Sequence, residues 1–203
     1  MAREGTDGLR ITAAEAERRS RDAADRFRVA AADDGLVDVA VGTLDAPVGQ
    51  LFVAVTPRGV VSISFEGVDR DVLIDRLSRE LSPRVVTAAR ATDDVRRELD
   101  EYFRGARRRF DLRVDRRLMS PFMRHVLGAT SRVSFGRLAT YGEIAGRIGQ
   151  PKAARAVGAA LGANPIPIVI PCHRVVGANG RLTGYGGGLP RKELLLRLEG
   201  SLL

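Results

Sequence analysis

Pro171-Cys172-His173-Arg174 contains the only cysteine among the 203 residues, set between the apolar run Ile166-Pro167-Ile168-Val169-Ile170 and Val175-Val176-Gly177. A thiol with no possible disulfide partner, preceded by Pro and followed directly by His, has the makings of a nucleophile. The competing reading is core filler, because free cysteine is among the most buried residue types. Polar residues and glycines on either side of Cys172 favour the nucleophile. Against only two histidines, His125 and His173, one cysteine cannot assemble an ordinary closed zinc site, so no metal is expected.

Several elements must position this tetrad. Ser120-Pro121 reads as an N-cap and first-turn pair opening a helix to about Thr130. Thr140-Tyr141-Gly142-Glu143 opens a second helix to Ile148, and Gly149-Gln150-Pro151 breaks it. A third runs from about Lys152 to Gly162, stopped by Asn164-Pro165. Two short helices joined by a tight turn match helix-turn-helix geometry. The second is slim, with Ala153, Ala154, Ala156, Gly158, Ala159 and Ala160, so it can approach a nucleic-acid backbone closely and enter the minor groove with little sequence preference. A tightly packed internal helix would use the same residues, but Lys152 and Arg155 argue against full burial.

Upstream, Val37–Val41, Leu51–Val55 and Val60–Phe65 read as an antiparallel meander separated by turn signals. Helices follow at about Asp69–Leu81 and Thr92–Arg104, with short strands near Val85 and Phe110. This half holds no charged constellation that looks catalytic. Residues 1–36 read as a charged extension, helix-prone from Ala13 to Ala32 and laced with the pairs Glu17/Arg21 and Arg21/Asp25. The division is therefore 1–36, an α+β domain at 37–116, and a mostly helical domain at 117–203.

The net charge of +8 is uneven. Residues 1–37 carry 7 basic and 8 acidic side chains, residues 38–116 carry 14 of each, and residues 117–203 carry 12 basic and 3 acidic. Such an excess is the footprint of a polyanion-binding surface, although a solvated arginine-rich face would look alike. No apolar run is long enough to span a bilayer and no signal peptide is evident, so a cytoplasmic protein without membrane contact is expected, nucleoid-associated when on DNA.

Residues from about 118 to 200 closely resemble the O6-alkylguanine-DNA alkyltransferase (methylated-DNA-protein-cysteine methyltransferase) family. The resemblance runs through Ala139-Thr-Tyr-Gly-Glu143, Pro151-Lys-Ala-Ala-Arg-Ala-Val-Gly158, Asn164 to Val176, Gly184-Tyr-Gly-Gly-Gly-Leu189 and Lys192-Glu-Leu-Leu195 up to Leu198-Glu-Gly200. Residues 38–117 resemble the family's N-terminal domain, which implies an RNase H-like α+β fold there. Residues 1–37 match nothing recognisable.

The resemblance implies roles residue by residue. Cys172 is the alkyl acceptor, with His173 and Glu199 as base and orienting carboxylate. Adjacent residues of an extended segment face opposite ways, so a bridging water is expected between Cys172 and His173. Asn164 ties the turn before the active-site strand, and Tyr141 donates to the leaving base. Arg155 is the finger that replaces a flipped nucleotide, while Lys152 and Ala154 lie along the DNA. Tyr185 packs on the base, the Gly186 amide faces the alkylated oxygen, and the carbonyls of Cys172 and Val175 accept from the guanine amino group. Gly186 stands where some members have serine, and the zinc ligands of some members are missing.

The implied activity is irreversible, stoichiometric transfer from O6 of guanine in double-stranded DNA, and O4 of thymine as an open extension, without cofactor. A monomer is expected, with cooperative assembly on DNA left open. Two other readings stand beside it: a lesion-binding protein of the alkyltransferase-like kind, whose relatives lack the cysteine, and a cysteine hydrolase acting on a small substrate.

Overall fold

β-Branched runs punctuated by glycine turns build the first half of the chain. The computed structural model describes residues 12–33 and 37–202, without the side chains of 25 and 27–33, so the Arg21/Asp25 pair lies outside the described residues. Helix α1 (Ala13–Asp33) opens on Thr12, whose hydroxyl accepts from the Glu15 amide while Glu15 reaches back to the Thr12 amide, a capping box. Glu17 and Arg21 pair at 3.5 Å on its exposed surface.

Strands β1 (Val39–Leu44), β2 (Leu51–Thr56) and β3 (Gly59–Phe65) form the expected antiparallel meander. Helix α2 (Arg70–Glu80) starts from an Asp69 cap and returns the chain to β4 (Val85–Thr87), which pairs parallel to β1 and completes the order β3-β2-β1-β4. Helix α3 (Asp93–Phe103) packs under the sheet. Gly59 sits at φ 125° in the β2–β3 turn, where any Cβ would collide with the Arg113 carbonyl.

Phe110 is not in a strand. The amide of Asp111 is taken by the Glu98 carboxylate at 2.9 Å, so the backbone there has a side-chain partner instead of a ladder. Strand pairing is confined to one bridge, Val60 to Val114.

The second half is helical. Helix α4 (Pro121–Thr130) is capped by Ser120. Strand β5 (Ala139–Thr140) leads into α5 (Tyr141–Arg147), whose Thr140/Glu143 capping box is complete. Residues 148–153 connect it to α6 (Ala154–Gly162), with Gly149 at φ 74°. Lys152 lies in the connection, ahead of the helix proper, because Pro151 and a Gln150 to Ala153 turn delay its start. A short turn at Cys172–Arg174 precedes β6 (Val175–Val176), parallel to β5, and α7 (Leu189–Leu198) closes the fold.

One apolar core runs through both halves, joining Leu51, Ile63 and Leu99 to Ile144, Ile166 and Leu195. Fully burying each such side chain is worth about 1.5–3 kcal/mol, so the Ile166 to Ile170 segment is packed against a core shared by both halves. Among the described residues, no helix is long and apolar enough to cross a membrane.

Candidate active site

The expected active-site strand is a turn. Asn164 explains why: its amide nitrogen donates to the Ile170 carbonyl at 3.0 Å, and its side-chain oxygen accepts from the Ile166 amide at 3.0 Å. The apolar run is thereby folded on itself, with Ile168 at φ 72°, a strained conformation for a β-branched residue. The amide of Cys172 then bonds the Ile170 carbonyl and that of Arg174 the Pro171 carbonyl, closing a tight turn around the thiol.

The same Asn164 amide lies 3.1 Å from Cys172 Sγ. The thiol is buried, and burial pushes its pKa up to about 11 despite Asn164 and the nearby Lys192 cation, both of which favour the thiolate. Lys192 is fully buried on α7, its ammonium donating to the carbonyls of Val175 at 2.6 Å and Thr183 at 3.3 Å. Burial lowers its pKa, and the proximity of Cys172 opposes that shift.

Behind the turn sits a second buried group. Glu199 Oε1 lies 3.0 Å from His173 Nε2 and accepts from Tyr102 Oη at 2.7 Å, and Arg174 grips both carboxylate oxygens at 2.8 Å. Burial alone would raise the Glu199 pKa; His173 and Arg174 overcome it and hold the carboxyl down to about 2. Burial lowers the His173 pKa, against the pull of Glu199. A neutral imidazole donating Nε2–H to Glu199 leaves Nδ1, which is buried and without a partner among the described residues, as a free acceptor. The Cys172 thiol and the His173 imidazole share no direct hydrogen bond; the backbone amides of Cys172 and His173 face the sulfur instead, because the backbone is turned and not extended.

The mouth is a cleft of about 740 Å³ that brings together Tyr141, Ala154, Arg155, Tyr185 and Gly186. Tyr141, the first residue of α5, accepts from the Thr183 hydroxyl at 2.9 Å. Arg155 is exposed on α6, and Gly158 of α6 faces the Tyr141 ring. A Cβ at Gly186 would stand 3.0 Å from the Gly162 carbonyl, so a side chain there would have to shift the end of α6. A second chamber of about 340 Å³ reaches Cys172 between Tyr185, Pro167 and the β3 end at Phe65 and Glu66. Lys152 stands apart, in a hollow with Gln150 and Pro151. The Val175 carbonyl already accepts from Lys192 and that of Cys172 from the Val175 amide, leaving each one lone pair.

Three partners in this site escaped the reading of the sequence as functional. Arg174 lay inside the tetrad. Lys192 carried a signal, being one of two lysines in an arginine-rich chain, and its ammonium is held by two backbone carbonyls. Tyr102 lies in the half that showed no catalytic constellation, and nothing local marked it.

Residues 39–116 match the ribonuclease-like domain of 6-O-methylguanine DNA methyltransferase, and residues 121–201 match its DNA-binding domain. The chain belongs to the 6-O-methylguanine DNA methyltransferase family. A methylated-DNA-protein-cysteine methyltransferase of Mycolicibacterium paratuberculosis is 45% identical over 77% of this chain and 90% of its own length. Its counterpart in Methanosarcina acetivorans is 39% identical over 77% of this chain and 96% of its own length. The crystal structure of Mycobacterium tuberculosis OGT in complex with DNA superposes with a TM-score of 0.70 at 38% identity, covering 80% of this chain and 93% of that one. The α+β fold of the methyltransferase family is thus present, with the four-stranded sheet in the first half and a mostly helical second half. Among the described residues, no group of three or more His, Cys, Asp or Glu is placed to hold a metal.

Proposed function

We propose that this protein repairs DNA by transferring an alkyl group from O6 of guanine to Cys172. The observation that carries the reading is the thiol between an open cleft and a buried His173/Glu199 pair, in the one cysteine of a family member.

The α5–α6 pair acts as a helix-turn-helix whose slim second helix enters the minor groove, with Lys152 and Ala154 along the backbone. Flipping the damaged nucleotide costs a few kcal/mol, and Arg155 fills the vacated stack. The base enters between Tyr185 and the glycine segment, and its amino group meets the free lone pairs of the Cys172 and Val175 carbonyls. His173 Nδ1 takes the thiol proton through a bridging water. The thiolate attacks the alkyl carbon, a C–S bond forms, the C–O bond breaks, and Tyr141 supplies a proton to the leaving guanine base, the proton held on His173 restoring the phenol through solvent. The thioether has no leaving route, so each molecule acts once. It works as a monomer, in the cytoplasm, without cofactor.

The test is intact mass spectrometry after incubation with a duplex carrying one O6-methylguanine, with an O4-methylthymine duplex in parallel. One methyl on Cys172, saturating at one per protein, is expected from the guanine lesion. Lesion-selective binding without mass gain would replace the reading with a damage sensor, and multiple turnover with a hydrolase.

A further inference from the structure

On the other side of the acceptor turn lies a cleft of about 790 Å³ that shares no lining residue with the mouth occupied by Tyr141 and Arg155. Its rim carries Arg108, Arg109, Arg116, Arg124 and Arg132, all exposed, and no carboxylate lines it. Some surface arginines elsewhere are neutralised, Arg84 pairing with Asp38, Arg76 with Glu80 and Arg191 with Glu66. Among the described residues none of the five rim arginines has an ion pair; Arg124 reaches only the Met119 carbonyl and Arg108 only the Phe135 ring. Five like charges around one concavity repel one another unless an anion enters, and the aliphatic floor of Leu112, Val114, Leu127 and Val169 offers nothing to an anion alone.

We propose that this cleft docks an acidic peptide segment of another protein, with one or two bulky apolar side chains seated on the floor and carboxylates spread over the arginine rim. A single-stranded nucleic acid fits less well, because it needs free aromatic faces. Phe135 already carries the Arg108 and Arg174 guanidiniums at 5.6 and 5.8 Å, and Phe110 lies against Tyr102 at 5.3 Å. The inner wall includes Pro171 and Arg174, the latter gripping Glu199, so an occupant would sit directly behind the acceptor turn while leaving the front cleft free.

A random peptide library selected against the full-length protein tests this, with binding of enriched peptides read by fluorescence anisotropy. Enriched sequences should combine Asp and Glu with Leu, Ile or Phe. Their affinity should fall roughly tenfold or more in Arg116→Glu/Arg132→Glu, two exposed positions whose replacement leaves methyl transfer from an O6-methylguanine duplex unchanged. The proposal is overturned if no acidic and apolar sequences are enriched, or if their binding survives the double substitution. It is equally overturned if a single-stranded oligonucleotide binds the wild type more tightly than the peptides and loses that affinity in the double variant, which would make the cleft a nucleic-acid site.

Discussion

Two ionisable groups are buried on opposite sides of one turn, and their surroundings drive them apart. Glu199 receives two guanidinium bonds, an imidazole and a phenol, and its carboxyl stays ionised with a pKa of about 2. Cys172 receives the Asn164 amide, the backbone amides of Cys172 and His173 and a nearby ammonium, and burial still keeps its thiol protonated with a pKa of about 11. At neutral pH the thiol is then overwhelmingly protonated. The difference teaches that the permanent charge belongs to the apparatus and the transient one to the reagent. A cysteine kept as a thiol is shielded from oxidation and from stray electrophiles until a base fills the cleft.

The contrast can be broken most completely at the sulfur. Cys172→Ala should abolish methyl transfer, measured by mass, while affinity for the lesion duplex stays close to wild type. On the saturated side, Glu199→Gln leaves Arg174 buried without a charge partner and should cost about 3–5 kcal/mol of stability in denaturant titrations. The wild-type pH profile has a matching acid limb. Because the folded pKa of Glu199 is lowered, its contribution is complete above the unfolded value of about 4.3 and is lost as pH falls toward 2; in Glu199→Gln that limb should flatten.

Lys192→Met sharpens the comparison from the thiol side. Removing the ammonium should move the rising limb of the transfer rate to higher pH, read in single-turnover kinetics, with recovery of the rate at high pH. Tyr102→Phe is the mildest change. Losing one donor to a charged acceptor should cost about 1.5–3 kcal/mol and leave the pH dependence of transfer nearly unchanged, since Arg174 and His173 remain.

What could be read in the sequence was what the chain writes locally. Ser120-Pro121 and Thr140 to Glu143 are caps complete within a few residues, and both start helices where they should. The cysteine tetrad was legible because Pro171 to Arg174 is contiguous. The shape of its segment was not, because Ile166 to Ile170 has a strand's composition and is bent by Asn164, whose amide competes for the backbone groups a ladder would use. Phe110 failed for a related reason, with Glu98 supplying the partner that a neighbouring strand would have provided. Tyr102 meets Glu199 across 97 positions, a distance over which no spacing rule operates.

That contact also bears on how such proteins can be assembled from parts. The hydroxyl of Tyr102 belongs to the first half and the carboxylate it serves to the second. A second half joined by recombination to a foreign first half would carry its whole motif and still reach the fold with one buried oxygen short of a donor. A chimaera of relatives should therefore be chosen first for what it offers at that position.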